Sequence, residues 1–63
     1  MTRTEREIVN TLKNGGWFGK QSDRIGWYLI SRNACVVREV RFLTIKRMCN
    51  EGLLKWNAGK VTL

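Results

Sequence analysis

The chain has 63 residues, with 12 Lys and Arg against 5 Asp and Glu, a net charge of +7, and no His. That length makes one small domain, residues 1–63, whose core is too small to line a catalytic cleft of its own. Apolar residues make up 43% of the chain, too many for intrinsic disorder, and no apolar run approaches the ~20 residues of a membrane span.

In chain order, Thr4-Glu5-Arg6-Glu7 fits the capping box, in which a hydroxyl and a carboxylate satisfy free N–H groups at a helix start. Ile8, Val9 and Leu12 follow at helical spacing, and Asn14-Gly15-Gly16 stops the run, so a helix is predicted over 5–14. Trp17-Phe18-Gly19 reads as a stub of strand. Ser22 or Asp23 offers an N-cap for a second helix, with Ile25, Tyr28 and Leu29 at i, i+3 and i+4 and Ser31-Arg32-Asn33 at its end. Gly26 lowers the propensity of that helix by roughly 1 kcal/mol relative to Ala.

From Ala34 to Glu51 the second half is helical in pattern. Phe42, Ile45, Met48 and Cys49 are apolar, with Lys46, Arg47 and Asn50 between them, and Gly52 ends the run. The first half, 35–42, has β-branched content that would suit a strand, and period alone does not settle so short a run. The reading adopted is helix from about residue 36. Leu53 to Leu63 reads as a β-hairpin with a turn of about four residues, Asn57 to Lys60. Asn57 and Gly59 are the residues best able to take positive φ there.

The segment Ile45-Lys46-Arg47-Met48-Cys49-Asn50-Glu51-Gly52-Leu53-Leu54 resembles the end of the recognition helix and start of the wing in winged helix-turn-helix domains. The apolar slots before and after the Gly hold Ile45, Met48, Leu53 and Leu54. The resemblance implies an α+β, mostly helical fold: a three-helix core with a C-terminal β-hairpin wing. It also implies that helix 3 enters the DNA major groove while the hairpin rests on the backbone.

Carried over residue by residue, the nucleic-acid candidates are Arg38, Lys46 and Arg47 on or before helix 3. Arg32 joins them at the preceding turn, with Lys55 and Lys60 at the hairpin. Arg41 departs from the pattern. A helical wheel puts it between Ile45 and Met48 on the core stripe, and puts Leu43 outside with Glu39, Lys46 and Asn50. Three explanations stand: the helix starts later, the register bends near Arg41, or the Arg41 stem lies along apolar surface with its head in water.

The charge agrees with an anionic partner. Residues 20–47 carry seven Lys and Arg against two acids, 7 − 2 = +5, while residues 1–19 and 48–63 carry +1 each. Basic and apolar residues alternate there, which marks a structured basic segment. If about five of these side chains neutralise phosphates, log K falls with log salt at a slope of about −4 to −5.

Catalysis finds no support, because no His and no nucleophile–base set is present. No cofactor is implied. If Cys35 and Cys49 share a helix, about 21 Å separates them, so they read as two small buried hydrophobes rather than a disulfide or a zinc site. The glycines at 15, 16 and 19 precede Lys20 at the wrong spacing for a phosphate loop. The six aromatic rings serve first as core, with Trp17 and Trp56 the candidates for exposure.

Two functions follow. The first is a DNA-binding module, a transcriptional regulator or recombination accessory factor on double-stranded DNA, for which a homodimer or tandem sites would supply specificity. The alternative is a small protein-binding inhibitor similar in size and style to phage-encoded anti-CRISPR proteins, meeting its partner through Trp17, Leu43 and Trp56. The N-terminus lacks an apolar h-region, so no secretory signal is expected and the expected location is the cytoplasm.

Overall fold

A computed structural model of the chain describes residues 1–21, 23 and 26–63. Its elements in order are α1 (Arg3–Lys13), β1 (Trp17–Gln21), β2 (Gly26–Ile30), β3 (Val36–Arg41), α2 (Phe42–Asn50), β4 (Lys55–Asn57) and β5 (Lys60–Thr62). Strands β1, β2 and β3 form an antiparallel sheet in that order, and β4 pairs with β5. The three-helix core is therefore overturned. Among the described residues the domain has two helices and five strands, and it is not mostly helical.

The first helix starts two residues before the expected position. Thr2 and Glu5 form the capping box: Thr2 Oγ1 accepts from the Glu5 N–H and Glu5 Oε1 accepts from the Thr2 N–H, each at 3.2 Å. The sequence holds this pattern twice in overlap, at Thr2 and at Thr4. Packing chooses the first frame, which buries Glu5 beside Arg47 and leaves Glu7 for Arg38. Gly15 ends the helix at φ +94°, the left-handed position that Gly fills at least cost.

The helix expected around Tyr28 and Leu29 is strand β2. Ser22 and Ile25, read as its cap and first apolar position, lie outside the described residues, as does Arg24. The run Trp-Tyr-Leu-Ile is aromatic and β-branched at its end, which suits a pleated surface better than a helix turn. Gly26 faces Arg41 of β3 so closely that a Cβ on it would lie 2.5 Å from the Val40 carbonyl oxygen. Its absent side chain serves strand pairing.

Val36, Val37 and Val40 place the next segment in β3, and α2 begins only at Phe42. Of the three explanations for Arg41, a later helix start is the one observed. Arg41 is extended, at φ −68° and ψ 143°, and precedes the first turn. The C-terminal hairpin turns through two residues rather than four. Ala58 and Gly59 take positive φ, and Asn57 lies in β4 opposite Lys60.

Trp27 pairs with Val40, and Leu29 pairs with Arg38. These residues share one sheet face, because alternate positions along a strand point the same way. The helices and hairpin meet that face. Ile8, Leu29, Val40, Ile45, Met48, Leu54 and Val61 form one buried core, with Val9, Leu12, Phe18 and Trp27 packed around it. Cys35 is exposed ahead of β3 and Cys49 is half-buried in α2, both as free thiols. The two do not share a helix, and only Cys49 fits the reading as a buried hydrophobe. Among the described residues no helix is long and apolar enough to cross a membrane.

Candidate nucleic-acid interface

Part of the positive charge that the sequence concentrates in residues 20–47 is neutralised within the fold. Two central arginines are tied to the acids of α1. Arg38 Nε lies 3.0 Å from Glu7 Oε1, and Arg38 Nη1 donates to Thr4 Oγ1 at 2.8 Å. Arg47 Nη2 lies 3.4 Å from Glu5 Oε1. Glu7 Oε1 is buried and has no well-directed hydrogen bond among the described residues, so the ion pair with Arg38 is what compensates it.

Glu5 is 5% exposed. Its hydrogen bonds with the Thr2 side chain and then the Thr2 backbone, together with the Arg47 charge, hold its carboxyl below the ordinary value of 4.5, against desolvation, which raises it.

With both acids so engaged, α1 keeps Arg3, Arg6 and Lys13. These three and Asn10 fall within an arc of about 80° at 3.6 residues per turn. They face the β2–β3 turn, where the Ala34 N–H donates to the Ser31 carbonyl at 2.8 Å and Ala34 takes φ +64°. That turn presents Arg32 and Asn33. Helix and turn enclose a groove of about 940 Å³ whose lining includes Arg3, Arg6, Asn10, Lys13, Arg32 and Asn33. Glu7, neutralised by Arg38, is the acid in the wall. A groove with four cations and amide donors can hold the phosphates of a nucleic-acid backbone.

Of the residues read as DNA contacts, Arg32 lies in this groove. Arg38 stands on β3, not on a helix, and faces α1. Lys46 is on the exposed side of α2 with Leu43, Arg47 and Asn50. Lys55 and Lys60 share one face of the hairpin, opposite Trp56 and Val61. The six therefore do not gather into one surface around a recognition helix.

Among the protein-contact candidates, Leu43 is 71% exposed, Trp17 44% and Trp56 41%. Trp56 is also part of an aromatic chain, with ring centroids 5.6 Å from Trp27 and 5.5 Å from Phe42. Arg3, Arg6, Asn10 and Lys13 were not singled out from sequence, although their i, i+3, i+7, i+10 spacing on a predicted helix is a legible signal.

No protein-family model matches the chain, and neither a curated protein nor a solved structure matches it. Among the described residues no group of three His, Cys, Asp or Glu side chains is placed to hold a metal ion. Fold and site define a small α+β domain with a basic groove between a helix and a turn.

Proposed function

We propose that this domain binds double-stranded nucleic acid, DNA foremost, by gripping the phosphate backbone in the groove between α1 and the β2–β3 turn. The observation that carries the reading is the set Arg3, Arg6, Lys13 and Arg32 around a groove whose acid is held by Arg38. Such contacts fix register and orientation on a duplex and carry little sequence information, so the binding is general rather than sequence-specific. The test is duplex affinity across a salt series. Four neutralised phosphates give a slope of about −3 to −4 in log K against log salt. Arg6→Ala and Lys13→Ala each reduce that slope by about one, and an affinity flat in salt refutes the reading.

A second reading is favoured by Leu43, a large apolar side chain 71% exposed on α2. In that reading the domain is a protein-binding inhibitor whose partner covers Leu43 and the Trp56 edge. Leu43→Ser separates the two functions, because it leaves duplex binding unchanged and abolishes capture of a protein partner from nuclease-treated lysate.

A further inference from the structure

The three-stranded sheet has a second face. Leu29 and Val40 turn one side of it to the core, where the helices and the hairpin bury their own side chains. Successive residues of a strand point to opposite sides, so Trp17, Tyr28, Ile30, Glu39 and Arg41 turn the other way. Strand pairing joins Trp17, Ile30 and Val36 into one apolar row across that side. Trp17 of β1 lies opposite Ile30 of β2, and Ile30 lies opposite Val36 of β3. The Ile30 side chain lies over Gly19, where a Cβ would collide with its Cδ1.

An antiparallel sheet that leaves one face to water carries polar side chains there. This face instead carries the apolar row and Tyr28, with Val36 60% exposed. Apolar residues on both faces of a sheet call for a layer on both.

The placement of charge and of size selects that layer. The middle of the face is uncharged, which gives a phosphate chain no cation to follow. Charges stand at its two edges. Phe18 and Gln21 pair with Leu29 and Trp27, so Gly19 and Lys20 fall beside Tyr28 on one side, and Glu39 pairs with Tyr28 on the other. Lys20 and Glu39 are both exposed. A two-fold axis along β2 carries β1 of one copy over β3 of another. It sets Lys20 against Glu39 of the second copy, and Trp17, the largest side chain of the row, against Val36, the smallest. Ile30 and Tyr28 meet their own counterparts. The face is thus complementary to itself in charge and in size, as an isologous interface requires.

We infer that two copies of this chain pack these faces together, sheet on sheet, in a two-fold dimer with aligned strands. Helix α1 lies on the core side of the sheet, so both basic grooves stay open on the outside of the pair. The inference goes beyond the nucleic-acid reading and does not rest on it.

The test is sedimentation equilibrium of the full chain from micromolar to submillimolar concentration at physiological salt. A face of three short strands is at the low end of interface sizes, where association is weak, so dimer is expected to grow across that range. Val36→Lys places a charge in the apolar row and weakens association about tenfold or more. Val36 is exposed in the single chain, so circular dichroism of this variant stays that of the parent. Glu39→Lys weakens association about fivefold or less, the scale of one exposed charge pair. Adding Lys20→Glu to Glu39→Lys restores it.

A chain that stays monomeric at submillimolar concentration overturns the inference. A dimer indifferent to Val36→Lys overturns it as well, because the contact then lies elsewhere. A double variant as weak as Glu39→Lys alone overturns the two-fold match of β1 to β3. A monomeric parent whose duplex affinity falls in Val36→Lys assigns the face to nucleic acid instead.

Discussion

Arg38 Nε on β3 stands 3.0 Å from Glu7 Oε1 on α1. The pair ties the sheet to the first helix, and it also removes an acid from the field of the basic groove. Glu7→Gln releases Arg38 and deletes that acid. Duplex affinity then rises at low salt, by about fivefold or less for one exposed charge pair, and the gain fades as salt screens it. Arg38→Gln has the opposite sign. Both side chains are about two-fifths exposed, so either change moves stability by about 1 kcal/mol or less. Fluorescence anisotropy at two salt concentrations, beside a urea melt, reads both effects.

Glu5 makes stability depend on acid. Its carboxyl is held below 4.5 in the folded chain, first by the Thr2 hydrogen bonds and then by Arg47. A group whose folded pKa is depressed contributes stability above its unfolded pKa and loses it as pH falls through the folded value. The contribution is thus complete at neutral pH and declines as pH drops below 4.5. Glu5→Gln lowers the urea midpoint at pH 7 and flattens its dependence on pH below 4.5, which a pH series of urea melts detects.

Ile45 is fully buried in α2 between the sheet and the other core side chains. Ile45→Ala removes packed methylenes and leaves a cavity, costing about 2–5 kcal/mol. In so small a domain each kcal/mol lowers Tm by about 4–8 °C, so thermal unfolding shifts down by about 10 °C or more. Lys46→Ala, one residue on and exposed, stays within about 0.5 kcal/mol of the parent. Circular dichroism melts compare the two.

Ala58 holds a left-handed backbone at φ +50° in the hairpin turn. A residue with a Cβ there is strained by about 1–2 kcal/mol, and Asn tolerates the conformation better than Ala. Ala58→Asn creates the Asn-Gly pair favoured by two-residue hairpins and raises stability by about 0.5–1 kcal/mol. A Tm increase of a few degrees checks it.

The parts of this protein that the sequence alone determined are those with local causes. The stop at Gly15, the apolar stripe of α1, the helix through Ile45 and Met48 and the C-terminal hairpin all follow from spacing and turn chemistry within a few residues. The +7 charge and the absence of a nucleophile–base set are likewise plain in the sequence.

Tertiary structure decided the rest. Segments 26–30 and 36–41 carry patterns too short to separate helix from strand, and they become strands because Trp27 meets Val40 and Leu29 meets Arg38 across the sheet. Pairing between distant segments has no signature in either one. The site followed the same logic. Arg38 and Arg47 look like the free cations of a basic segment until the fold sets Glu7 and Glu5 against them. Arg3, Arg6, Lys13 and Arg32 are among the cations left without an ion pair among the described residues and are the ones that line the groove, because a Coulomb interaction depends on distance in space and not on distance along the chain.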